Sequence, residues 1–80
     1  MIVRRYLTVF SRKNEKYIKE IELDFFNLKE MQNLFQIDQE NPMYDCYEVN
    51  EKGAAYFKDK YGIDLDLKKY FYYVECESIN

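Results

Sequence analysis

Paired carboxylates are the nearest thing to reactive chemistry in this chain. Asp64/Asp66 and Glu75/Glu77 each stand two residues apart, a spacing that puts both groups on one face of a strand. Two carboxylates so placed could bind a metal or divide acid and base roles, as in glycosidases. The plainer reading, a solvated strand face, is preferred. The sequence has no His, so a nucleophile would lack its usual base. Ser11 and Ser78 lie in no recognisable nucleophile motif, and no Gly-rich phosphate loop occurs. Cys46 and Cys76 lack CxxC spacing, and without His a Cys/His zinc site is excluded. They read as two reduced, partly buried thiols acting as small hydrophobes. The expectation is a protein that is not an enzyme, with no catalytic residue, no metal and no cofactor.

Aromatic residues beside acidic ones carry the stronger signal. The main cluster of the nine tyrosines lies near the end, in Tyr70-Phe71-Tyr72-Tyr73-Val74-Glu75-Cys76-Glu77. As a strand, this run turns Tyr70, Tyr72, Val74 and Cys76 to one face, a natural core face. Phe71 and Tyr73 then share the other face with Glu75 and Glu77. Either a helix or neighbouring strands cover those rings, or they form an exposed interface; alternation alone leaves both open. Tyr44 and Tyr47, flanked by Asp45 and Glu48, make a second acidic–aromatic patch. Such patches suit Lys- and Arg-rich partners, through ion pairs and cation–π contacts. Aromatics on a sheet can also stack nucleic-acid bases, but the acidic neighbours argue against it.

The elements that must position these residues follow from periodicity. Ile2 to Phe10 reads as a strand, with Val3, Arg5, Leu7 and Val9 on one face. Ile2, Arg4, Tyr6, Thr8 and Phe10 occupy the other. Ser11-Arg12-Lys13-Asn14 is a polar turn. Tyr17 to Leu23 alternates again, with Tyr17, Ile21 and Leu23 opposite Glu20 and Glu22, and the two strands predict a hairpin. Asn27 is placed to cap a helix, with Glu30 in capping-box position. Leu28, Met31, Leu34 and Phe35 form that helix's apolar stripe. Residues 43–49 read as extended, with no clean alternation. Asn50 caps a second helix over about residues 51–61, striped by Ala54, Phe57 and Tyr61, with Gly62 as its left-handed C-terminal cap. Ile63 to Leu67 alternates apolar and acidic and reads as a brief extended segment. The order ββα(β)αβ predicts one α+β domain over residues 1–80: a small antiparallel sheet of three to four strands, with one or two short helices on one face.

Composition narrows the class further. Eighty residues with 48% hydrophobic and 34% charged side chains describe a single globular domain rather than a disordered chain. No apolar run nears the ~20 residues that span a bilayer, and no signal-peptide core follows Arg4-Arg5, so the expected compartment is the cytoplasm. The net charge of −3 is uneven. Arg4, Arg5, Arg12, Lys13, Lys16 and Lys19 crowd the first twenty residues. Glu22, Asp24, Glu30, Asp38, Glu40, Asp45 and Glu48 dominate the next thirty. The acidic middle repels nucleic acid and attracts basic proteins.

The hairpin Tyr6-Leu7-Thr8-Val9-Phe10-Ser11 through Ile21-Glu22-Leu23 resembles the start of small bacterial immunity proteins. Met43-Tyr44-Asp45-Cys46-Tyr47 and the closing aromatic run extend the resemblance over nearly the whole chain. It reaches cloacin-type immunity proteins, which are more acidic and carry a longer loop at the place of residues 27–35. It also reaches a bacterial family found beside contact-dependent growth-inhibition toxins. The resemblance implies a cytoplasmic antitoxin that binds the C-terminal domain of a sibling toxin, a basic nuclease domain, and blocks it. The expected contact residues are Asp38, Glu40, Tyr44, Asp45, Tyr47 and Glu48, then Asp64, Asp66, Tyr73, Glu75 and Glu77. Two other classes stand beside this one. One is a nucleic-acid-binding regulator using the basic hairpin, favoured if Arg4, Arg12, Lys13, Lys16 and Lys19 form a continuous stripe. The other is a homodimer joined through an exposed edge strand.

Overall fold

The computed structural model describes residues 2–24 and 26–79. Its elements run β1 (Val3–Ser11), β2 (Tyr17–Glu22), α1 (Leu28–Phe35), β3 (Tyr47–Glu48), α2 (Glu51–Tyr61) and β4 (Tyr70–Ser78). The four strands form one antiparallel sheet in the order β2-β1-β4-β3. The two aromatic-rich nine-residue strands lie side by side at its centre. The α+β expectation holds, with two helices and four strands.

Alternation divides the sheet into two unlike faces. On one, Leu7 pairs with Val74 and Val9 with Tyr72. These four residues join Leu23, Met31, Met43, Val49 and Phe57 in the buried core. Phe57 of α2 and Met31 of α1 are wholly buried, so both helices anchor to this face. Each such apolar side chain contributes about 1.5–3 kcal/mol on leaving water. The other face carries Arg4, Tyr6, Thr8 and Phe10 against Glu77, Glu75, Tyr73 and Phe71 of β4.

Helix ends follow the sequence closely. Asn27 Oδ1 accepts the Glu30 N–H at 3.0 Å, and Asn50 Oδ1 accepts the Gly53 N–H at 2.9 Å. The Glu30 side chain does not complete a capping box. It accepts instead from Tyr56 Oη at 2.7 Å and Lys60 Nζ at 3.3 Å, which ties α1 to α2. Gly62 ends α2 at φ +67°, a conformation glycine adopts without strain. Gln32, mid-helix in α1, is buried and donates to the carbonyls of Gln39 and Asn41. A buried amide without partners would cost about 1–3 kcal/mol; here it secures the loop that follows α1.

One local expectation is corrected, and two extended stretches become specific. The β1–β2 register shifts between Val9 and Phe10, so Tyr17 opposes Phe10 rather than lining up with Ile21. A bulge reverses the face of the residue beyond it. The segment 63–67 forms no strand; its backbone closes a turn, with Lys69 and Tyr70 N–H groups donating to the Asp66 carbonyl. Residues 43–49 contribute only the two-residue β3, which keeps that sheet edge short.

Candidate functional site

The face opposite the helices is built of rings and carboxylates. At its centre Thr8, 7% exposed, donates to Glu75 Oε2 at 2.8 Å. Glu48 extends the face through its pairing with Tyr73. The Cys46 thiol lies against Glu75 and is pushed up to about 11, by burial first and then by the Glu75 charge and hydrogen bond. The residue as a whole is exposed, so the shift reflects the sulfur's position against Glu75. Tyr6 and Tyr73 are half-buried in the same surface. Burial raises both phenols, aided by Glu77 and Glu75 at Tyr6 and by Glu48 at Tyr73. Both phenols therefore stay neutral at physiological pH and keep a hydrogen to donate.

One cation is embedded in this surface. Arg4 donates to Glu22 Oε1 at 2.7 Å and to Glu20 Oε1 at 2.5 Å, with Glu77 3.5 Å away. Its guanidinium carbon stands 4.0 Å from the Tyr6 ring centroid. Hydrogen bonds to Glu22 and Glu20 raise its pKa. One positive charge among three carboxylates leaves a local excess of negative charge. Ion pairs this exposed add little stability, so the excess matters for what the face attracts.

At the hairpin end the rings dominate. Phe10 meets Tyr17 edge-on at 6.0 Å and Tyr73 edge-on at 5.8 Å. Phe10, Phe71, Tyr73 and Glu15 line a small cleft of about 210 Å³. Arg12 lies over Phe71 at 4.1 Å, and its Nε donates to the Leu67 carbonyl. Beyond Arg12 opens a second cleft of about 450 Å³, lined by Ser11, Arg12, Lys13, Lys68, Lys69 and Tyr70.

The residues named from sequence are distributed over four places. Glu48, Tyr73, Glu75 and Glu77 come together on the uncovered face. Asp38, Glu40, Tyr44 and Asp45 lie exposed in the connection from α1 to β3. Asp38 Oδ1 accepts the Glu40 N–H at 2.8 Å, and Tyr44 stands 5.6 Å from the Arg5 guanidinium. Tyr47 opposes Val74, so it turns to the helix side, with its ring 5.7 Å from Phe35. Asp64 and Asp66 sit between α2 and β4. Asp64 pairs with Lys58 at 3.0 Å, and Asp66 Oδ1 accepts the Lys68 N–H at 3.1 Å. Among the described residues, no group of three or more Cys, Asp and Glu side chains is arranged to hold a metal ion.

The reading from sequence missed Glu20, Glu22, Cys46, Glu15 and Tyr17 as members of the uncovered face. Strand parity already placed Glu20 and Glu22 opposite the core face. Tyr17 needed the bulge, which no local pattern announces. The basic residues do not form one stripe: Arg4 is enclosed by carboxylates at one end, and Arg12 with Lys13 lies at the other.

No described helix is long and apolar enough to cross a membrane. Neither the curated proteins nor the solved structures contain a match to this chain. A protein family matches residues 4–75, from the enclosed arginine to the central glutamate of the uncovered face, and the chain therefore belongs to the family described as "Domain of unknown function (DUF7683)".

Proposed function

We propose that this protein is an immunity protein, an antitoxin that binds and neutralises the toxic domain of a bacteriocin or contact-dependent growth-inhibition system. The partner is a basic protein domain, a nuclease by preference, because nucleases carry cationic surfaces for phosphates. The protein acts by stoichiometric binding in the cytoplasm of the toxin-producing cell. It makes and breaks no covalent bond.

The observation that carries this reading is the uncovered sheet face. Glu20, Glu22, Glu48, Glu75 and Glu77 surround the rings of Tyr6 and Tyr73 there. Aromatic anchors give such an interface its affinity, and the surrounding carboxylates speed encounter with a cationic partner. Homodimerisation through the exposed strand β2 is less favoured. Antiparallel pairing of β2 with its own copy sets Lys19 against Lys19, or Glu20 against Glu20, in the two central registers. Like charges directly opposite oppose such pairing.

The reading requires a large secreted protein encoded beside this gene, and the test is co-expression with the C-terminal domain of such a neighbour. The intact protein should restore growth. The triple variant Glu48→Lys, Glu75→Lys and Glu77→Lys should fold, shown by circular dichroism, and fail to protect. Undiminished protection by the folded variant would reject this face as the binding surface.

A further inference from the structure

We infer that the hairpin end of the sheet is a binding site for a nucleoside monophosphate. Its phosphate would lie in the cleft of Arg12, Lys13, Lys68 and Lys69, and its base on the Phe10–Phe71–Tyr73 shelf. This site shares Tyr73 with the antitoxin face but rests on different observations, the cationic cleft and the Phe10–Phe71 rings.

The cationic half is assembled from two segments remote in sequence. The Arg12 N–H donates to the Lys69 carbonyl at 2.9 Å, which fastens the β1–β2 turn to the turn before β4. The Arg12 guanidinium is fixed twice, by the Leu67 carbonyl below and the Phe71 ring beside it. In the 66–69 turn, Asp66 Oδ1 accepts the Lys68 N–H, and the Asp66 N–H donates to Tyr72 Oη at 3.0 Å. The turn's own carboxylate is thus engaged with backbone, while Lys68 and Lys69 are exposed.

The charge there is not balanced internally. Of the described residues, no acidic side chain lines the cleft. Among the described residues, Lys13, Lys68, Lys69 and Arg12 take part in no ion pair. Four cations against the single Asp66 carboxylate of the turn still repel one another on balance, in a chain whose net charge is −3. An incoming dianion relieves that repulsion. An arginine held in place beside lysines suits phosphate, since its fork can contact two oxygens at once.

The aromatic half gives the site its organic specificity. Arg12 belongs to the phosphate cleft and also lies over Phe71, so the two clefts adjoin through one side chain. Phe71 and its neighbours offer the π-surface on which a base stacks. Glu15 stands at the rim of that shelf with φ +60°, a left-handed backbone that a residue with a Cβ adopts at some cost. A carboxylate there accepts from the imino and amino groups of guanine, which lie side by side on its pairing edge. The carboxylates further along the face would repel the continuing backbone of a longer strand, so the occupant is a single nucleotide.

Calorimetric titration of the full chain with GMP, inorganic phosphate and guanosine tests this. GMP should bind at one site, about tenfold or more tighter than either fragment, because stacking and phosphate contact act together. The double variant Lys68→Glu and Lys69→Glu should remain folded by circular dichroism and lose GMP binding by about tenfold or more, as expected for lost phosphate contacts. Phe71→Leu keeps an apolar side chain but removes the ring that carries the base and steadies Arg12; it should reduce GMP affinity by a larger factor than phosphate affinity. No GMP binding at millimolar concentration, equal affinity for GMP and phosphate, or an unaffected double variant would overturn the proposal.

Discussion

Thr8 and Glu75 are joined by a 2.8 Å hydrogen bond that crosses diagonally from β1 to β4 on the uncovered side of the sheet. Thr8 is a polar residue buried on a face with no helix. What buries it is the surrounding surface of long side chains. The bond fixes the Glu75 carboxylate, and Glu75 in turn fixes the Cys46 thiol. The face is therefore held by its own polar contacts, which fix its central carboxylate in place.

Replacing Thr8 by valine keeps the shape and removes the donor. The expected loss of stability is about 1 kcal/mol, the net worth of one hydrogen bond. Urea unfolding measures it directly. An unchanged midpoint would show that Glu75 finds an equivalent donor in water.

Gly53→Ala should destabilise the fold even though alanine is the better helix former. A Cβ at this position would come within 2.8 Å of Val49 Cγ1, on a side chain that is itself buried. Helix propensity favours alanine by about 1 kcal/mol, while crowding in a packed core costs about 1–3 kcal/mol. The net expectation is a loss of about 1 kcal/mol by thermal or urea unfolding. Adding Val49→Ala should make the alanine at 53 neutral or favourable, which a double-mutant cycle reads out.

Cys46 should alkylate slowly. Thiolate is the reactive form, and burial together with Glu75 pushes this thiol up to about 11. In a Cys76→Ser background, the rate at pH 8 should fall well below that of the urea-unfolded chain and keep climbing past pH 9. Glu75→Gln should raise the rate at pH 8. The folded thiol holds its proton above the pH at which the unfolded thiol has lost it, so stability is full below about pH 9 and declines toward about pH 11. A folded-state rate equal to the unfolded one would contradict the Cys46–Glu75 contact.

Much of this was legible in the sequence because strand alternation is strict. Placing Leu7 and Val9 in the core also places Thr8 and Phe10 outside it, and the same parity separates Tyr72 and Val74 from Tyr73 and Glu75. Asn27, Asn50 and Gly62 gave the helix ends through local hydrogen bonding and φ alone. What stayed hidden depends on contacts between distant residues. The bulge that turns Tyr17 toward Phe10 arises from the pairing of two strands. Glu30 leaves its capping role because Tyr56, 26 residues later, offers a better donor. Asp64 and Asp66 alternate like a strand, yet find no partner strand, and the backbone turns instead. Tyr47 and Tyr44 look alike in sequence, but Tyr47 pairs with Val74 and faces inward.

The central claim is that the uncovered acidic–aromatic face docks a basic protein domain. Amide chemical-shift mapping tests it most directly: ¹⁵N-labelled protein is titrated with an inactivated form of the candidate toxin domain that the growth-rescue test identifies. The predicted result is a contiguous set of shifts at Tyr6, Thr8, Glu20, Glu48, Tyr73, Glu75 and Glu77, weakening as salt rises through about 0.2 M. Shifts confined to α1, α2 and the 63–69 segment, or binding indifferent to salt, would contradict it.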